Sequence, residues 1–168
     1  MSMAALRPMT ADDLPAVLAL QTQGYPPALH DAAPAFLSRM AMAPAMNLVA
    51  WDEAGLSGYL VSHAWISGSP PPVDTVLSPP PSPQCWYVHD LSVGPQARGT
   101  GLAQALIAAG AAAARAAGLG ASELVAVEGA APFWEKQGWR VQSALSLELA
   151  AKVAAYGASA VFMTKAPI

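Results

Sequence analysis

Apolar positions along this chain fall into blocks whose spacing changes from one to the next. Leu14, Val17, Leu18 and Gln21 recur at helical spacing. Thr10-Ala11-Asp12-Asp13 stands before them as a capping signal, with Thr10 placed to accept a free N–H and two acids to complement the helix dipole. This predicts a first strand over Met3–Arg7 and a helix running to about Gln21, ended by Tyr25-Pro26-Pro27. A shorter, Met-rich amphipathic helix is expected from Ala33 to Met42. The run Trp86 to Val93 reads as a strand closed by Gly94-Pro95, and Leu102 to Ala117 as a long Ala-rich helix. Ser146 to Ala155 reads as a short helix and Ser159 to Lys165 as a last strand. Between Ser67 and Gln84 lie Pro70, Pro71, Pro72, Pro79, Pro80, Pro81 and Pro83. This stretch is read as a stiff loop inside one domain spanning 1–168. It forms either a fixed rim to a pocket or a tolerated surface insertion.

The order strand, glycine turn, helix around Gly99-Thr100-Gly101 carries the first chemistry. Such a turn gathers free backbone N–H groups at the positive end of a helix, which suits a pyrophosphate. Gly99 and Gly101 let a ligand approach the backbone, and Arg98 adds a bidentate donor to phosphate oxygens. A P-loop is excluded because Leu102 follows Gly101 where Lys-Ser/Thr is required. A Rossmann fingerprint is excluded because its third glycine is missing.

The stretch Leu91-Ser92-Val93-Gly94-Pro95-Gln96-Ala97-Arg98-Gly99-Thr100-Gly101-Leu102-Ala103 resembles the acetyl-CoA motif of the GNAT N-acetyltransferases. A second block, Ala131-Pro132-Phe133-Trp134-Glu135-Lys136-Gln137-Gly138-Trp139, is similar to the family's late motif. The spacing between the two blocks suits one helix, one strand (Glu123 to Val127) and a second helix. Asn47 to Trp51, Gly55, and Leu60 to Trp65 look like the family's second and third strands joined by a hairpin. Phe36-Leu37 through Ala43-Pro44, and the pattern around His89, look most like arylalkylamine and related small-amine acetyltransferases.

The resemblance implies an α/β (α+β) GNAT fold. Its sheet would be mixed and mostly antiparallel, with helices on both faces and a splayed parallel strand pair at the acetyl-CoA site. It also implies transfer of acetyl from acetyl-CoA to a primary amine, here expected to belong to a small molecule. A protein N-terminus or lysine as acceptor, and a non-catalytic acyl-CoA-binding module, are the alternatives. Carried over residue by residue, the cofactor contacts are Leu91, Ser92, Val93, Gln96, Arg98, Gly99, Thr100, Gly101, Leu102, Ala103, Phe133, Trp134 and Lys136. The backbone of Leu91, Ser92 and Val93 would hold the pantetheine arm and polarise the thioester.

An ammonium group must lose a proton before it can attack. His89 is the first candidate for the base and Asp90 the second. The plain alternative for His89 is a buried, hydrogen-bonded strand histidine. On a regular strand Asp90 points away from the face of His89, and a bulge reverses that. Trp134 stands where the family usually has a tyrosine acid. Its indole donates a hydrogen bond but yields no proton near neutral pH, so packing is its expected role. Tyr156 is a candidate substitute. The family's asparagine on the fifth strand is missing, with Val127 near its place, and Glu128 reads as a solvated strand end. His30-Asp31 lies where the acceptor site would be lined; a carboxylate there could anchor a cationic amine, and the preferred reading is a loop pair without a role. His63 is read as structural, and Trp51, Trp65, Trp86 and Trp139 as mainly core.

Charged residues are 11% and apolar residues 54% of the 168, with net charge −3. That argues against disorder and leaves no basic field for nucleic acid. Gly101 to Ala121 is too rich in Ala and Gly, and carries Gln104 and Arg115, so no membrane segment is expected. The single Cys85 and the lack of a secretory pattern suit a cytoplasmic setting. No metal site is expected, and since family members often dimerise, a homodimer is one expected assembly.

Overall fold

The computed structural model describes residues 4–168; Met3 of the expected first strand lies outside them. Seven strands form one sheet in the order β1-β2-β3-β4-β5-β7-β6. They are β1 (Ala5–Pro8), β2 (Leu48–Asp52), β3 (Gly55–Trp65), β4 (Cys85–Val93), β5 (Ser122–Ala126), β6 (Arg140–Gln142) and β7 (Val161–Lys165). All neighbours pair antiparallel except β4 and β5, which run parallel. The mixed, mostly antiparallel sheet expected from the sequence is therefore present. β3 begins at Gly55 rather than Leu60, because the tight turn after Asp52 pairs Asp52 directly with Gly55. The short edge strand β6, wholly exposed, has no apolar pattern to announce it.

The helices are α1 (Leu14–Gly24), α2 (Ala33–Met42), α3 (Leu102–Ala116), α4 (Ala131–Lys136) and α5 (Leu147–Ala154). α1 follows a single 3-10 turn, Ala11–Asp13. The expected Thr10 cap is part of a capping box with Asp13, whose carboxylate accepts the Thr10 N–H at 2.8 Å and its hydroxyl at 3.2 Å. Asp13 also pairs with Arg7 at 2.7 Å, and these donors hold its carboxyl down at about 2. Ser146 caps α5 by accepting the Leu149 N–H at 3.1 Å.

Two apolar clusters cover the two faces of the sheet. On one, α3 lays Leu102, Leu106, Ile107 and Ala114 against Leu48, Leu60, Trp86 and Val88. Gly110 makes this close approach possible, since a Cβ there would sit 2.5 Å from Leu60 and 2.9 Å from Trp86. On the other, α1 and α2 pack Val17, Leu20 and Phe36 against Val49, Tyr59 and Val61. Trp86 and Trp139 are core, whereas Trp51 and Trp65 are only half-buried. No helix of the described residues is long and apolar enough to cross a membrane.

Candidate active site

β4 carries the site because it is paired differently along its two edges. Toward β3 its pairing continues to Val93. Toward β5 it stops at Val88, opposite Leu124, although β5 continues to Ala126. The strands part there, and the β5-side backbone of Leu91, Ser92 and Val93 has no strand partner. Into this gap opens a cavity of about 340 Å³, lined by Val88 to Leu91 and Val93 on β4 and by Leu124 to Ala126 with Val127 on the other side.

β4 is also bulged. Asp90 faces Val61 and Val88 faces Ser62, so His89 has no opposite residue. Before the bulge, Trp86 and Val88 belong to the α3 face; after it, Leu91 and Val93 do. Tyr87, His89, Asp90 and Ser92 therefore share the α1/α2 face. Tyr87 and His89 rings lie 6.3 Å apart, and Asp90 accepts the Tyr59 hydroxyl at 2.6 Å. The bulge thus overturns the regular-strand alternation for Asp90 and brings both candidate bases to the cavity wall.

Their surroundings differ. His89 Nε2 meets Asp31 Oδ2 at 2.6 Å, with both side chains almost fully buried. Its Nδ1 has no partner among the described residues and is closed to solvent. Asp90 Oδ1 is likewise closed and unpartnered. Burial pushes the Asp90 carboxyl above its ordinary range, against the pull of Tyr59 and His89. Burial works to raise Asp31 too, but the His89 hydrogen bond and charge, with Arg39, leave it below its ordinary value. Asp31 is therefore not the idle loop residue read from the sequence. It lines the cavity and holds His89. Its pairing spans 58 residues, and no local pattern encodes that. His30 instead contacts the Tyr25 carbonyl, at 2.6 Å.

The Pro-rich segment between β3 and β4 forms a wall of this cavity. Val73 lines it. The Pro71 carbonyl accepts the Tyr156 hydroxyl, the Asp74 N–H reaches Asp31 at 2.6 Å, and the Leu77 N–H reaches Ser38 on α2 at 3.0 Å. These ties favour the rim over the loose insertion. Tyr25 and Leu29 complete the same side, and the Tyr25 hydroxyl donates to the Leu91 carbonyl at 3.2 Å. Tyr156 also lines the cavity, with burial raising its hydroxyl to about 12. Tyr25 escaped the sequence reading; its signal was an aromatic residue at a helix end before two prolines. His63 is buried behind the site and is structural, edge-on to Trp65 at 5.2 Å.

At the other end, Arg98 and Ala103 line the cavity on either side of the glycine turn. Gly99 and Gly101 have φ of 75° and 85°, and a Cβ on either meets nothing within 4 Å. Their first requirement is thus conformational. The N–H groups of Arg98, Gly99 and Gly101 have no backbone acceptor among the described residues, and those opening α3 are free by helix geometry. These features fit the phosphates of a coenzyme A thioester. Phe133 and Trp134 close the cavity from α4. Trp134 packs edge-to-face on Phe133 and Trp139, each with centroids 5.1 Å away. Ser92, Gln96, Gly99, Thr100, Gly101, Leu102 and Lys136 do not line the cavity. Ser92 faces α1, Leu102 is buried under the turn, and the others are exposed. Glu128 is exposed as expected, while Val127 lines the cavity.

The sequence matches the model of the acetyltransferase (GNAT) family over residues 14–139. A search of curated proteins finds no match. Among solved structures, N-acetylglutamate synthase from Neisseria gonorrhoeae, complexed with coenzyme A and N-acetyl-glutamate, is 16% identical with a TM-score of 0.71. The match covers 100% of this chain and 36% of that one. The GphF GNAT-like decarboxylase in complex with isobutyryl-CoA is 18% identical, with a TM-score of 0.74 and coverage of 96% and 98%. Arabidopsis thaliana Naa50 in complex with the bisubstrate analogue CoA-Ac-MVNAL is 14% identical, with a TM-score of 0.69 and coverage of 97% and 98%.

Proposed function

The chain belongs to the GNAT family of acyl-CoA-dependent N-acetyltransferases, and from that premise we propose that it acetylates a primary amine of a small molecule by direct attack. Acetyl-CoA, the cosubstrate of the family, supplies the activated acyl group. The amine nitrogen attacks the thioester carbonyl, the C–S bond breaks, and the thiolate leaves. The β4 edge at Leu91 to Val93, which has no β5 partner and whose Leu91 carbonyl takes the Tyr25 hydroxyl, is suited to hold the pantetheine arm, and the glycine turn with Arg98 to hold the phosphates.

The acceptor starts as an ammonium ion with a pKa of about 10 and must be deprotonated. In this reading His89 takes the proton at Nδ1, directly or through a water admitted with the acceptor. Nδ1 is closed to solvent, so entry of the acceptor has to open the path to it. Asp90 is the second candidate, a carboxyl made more basic by burial. The departing thiolate, with a pKa of about 8.5, needs no full protonation. Trp134 then packs and Tyr156 forms part of the acceptor wall.

The observation that favours a small acceptor is the anchored Pro-rich wall: Val73, Tyr156 and Tyr25 line the cavity, and Tyr156 is tied to the Pro71 carbonyl. A thiol-release assay over small amines and N-terminal peptides tests it. Turnover on small amines alone supports the reading. Turnover on peptides alone replaces it with the protein-acceptor alternative, and no turnover on any amine leaves an acyl-CoA-binding module.

A further inference from the structure

Asp31 lies outside both sequence motifs, yet three parts of the fold converge on it. Oδ2 lies 2.6 Å from His89 Nε2 on β4, and Oδ1 accepts the Asp74 N–H from the Pro-rich loop at 2.6 Å. Gln21 of α1 clamps its backbone. The Gln21 amide donates to the Asp31 carbonyl at 2.9 Å and accepts the Asp31 N–H at 2.9 Å. Asp74 returns the contact by accepting the Ala32 N–H at 2.8 Å. Asp74 has φ of 57°, in the left-handed region that Asp adopts more readily than most non-glycine residues.

A carboxylate held at both oxygens only accepts hydrogen bonds, so the proton between it and Nε2 belongs to the imidazole. The other nitrogen, Nδ1, is buried without a partner. A buried N–H without an acceptor is rarer and costlier than a bare lone pair. The neutral ring is therefore held as the Nε2–H tautomer. The charged and titratable groups around it are Asp31 before α2, Arg39 on α2, His63 on β3, and Tyr87 and Asp90 on β4. Of these, Asp31 is the one that bonds the ring.

We propose that Asp31 is a positioning residue for catalysis: it fixes His89 in the tautomer whose Nδ1 lone pair takes the acceptor's proton, and the Pro-rich loop locks it there through Asp74. The proposal rests on the reading of His89 as base. Once Nδ1 is protonated, the adjacent carboxylate stabilises the imidazolium.

The imidazole ¹⁵N shifts of the resting full-length protein test the first half without turnover. Nε2–H with a bare Nδ1 is expected in the neutral ring; Nδ1–H would overturn the proposal. Asp31→Asn tests the second half, because an amide turned the other way donates to Nε2 and permits Nδ1–H. Its kcat should fall by roughly 10²–10⁴-fold, the range for general base catalysis, with KM for acetyl-CoA little changed. Its kcat/KM profile against pH should differ from the native one, because the carboxylate that holds the ring is gone. Loss of turnover in His89→Ala together with native rate and profile in Asp31→Asn would overturn the positioning role alone. Native turnover in His89→Ala would remove the base reading and the role together.

Discussion

His89 and Asp90 are consecutive on β4, yet both side chains lie on the α1/α2 face of the sheet. One bonds Asp31 and the other Tyr59, each at 2.6 Å. The bulge that places them together also begins where β4 leaves β5. A single irregularity thus aims two titratable groups into the cavity beside the freed backbone edge.

If His89 is the base, His89→Ala should lower kcat/KM by roughly 10²–10⁴-fold. The acidic limb of the pH profile should flatten as well. Steady-state kinetics across pH checks this; native activity with an unchanged profile would shift the role to Asp90 or to solvent.

The glycine turn makes a second prediction. Gly101 has φ of 85°, which a β-branched residue does not tolerate. Gly101→Val should remodel the turn and abolish the rise in Tm that acetyl-CoA gives by binding the native state. A fluorescence melt with and without acetyl-CoA decides it, and an undiminished shift would place the phosphates elsewhere.

Trp134→Phe should leave kcat within a few-fold of native, since it keeps the edge-to-face packing on Phe133 and Trp139 and removes only the indole N–H. Trp134→Tyr should add at most a modest gain. A fall of several orders of magnitude in Trp134→Phe, at unchanged acetyl-CoA affinity, would make the indole N–H part of the transition-state machinery.

The parts of this site that lie close in sequence were readable from it. Strand, glycine turn and helix from Trp86 to Ala117 follow each other directly, and their hydrophobic periods differ. The α4 block announced itself by Phe133, Trp134 and Gly138. What escaped depends on contacts between distant segments. Asp31 looks idle because its partners, His89 and Asp74, are brought to it only when α1, β4 and the Pro-rich loop assemble. The bulge at His89 was an open alternative in the sequence, since it is set by how β3 and β4 register and not by a local residue. The edge strand β6 pairs with β7 through its backbone while its side chains stay exposed, so no apolar alternation marks it.

His63 predicts how stability depends on pH. Burial holds its ring neutral, lowering its pKa from 6.5 to about 3. As pH falls below 6.5 the unfolded chain takes up a proton that the native ring refuses, so stability drops as pH falls from 6.5 toward 3. The slope from this one group is up to about 1.4 kcal/mol per pH unit. Unfolding free energies from urea titrations of the native protein and His63→Gln should diverge by up to this slope over that range, and parallel curves would rule out a buried neutral His63.

Acetyl-CoA-dependent thiol release, with mass analysis of the products, measures the central claim most directly. Small primary amines and N-terminal peptides are offered to the native protein and to His89→Ala. The account predicts release and a monoacetylated product with small amines on the native protein, loss of both in His89→Ala, and no product with the peptides. Monoacetylated peptides without turnover of any small amine, or equal rates in the two proteins, would contradict it.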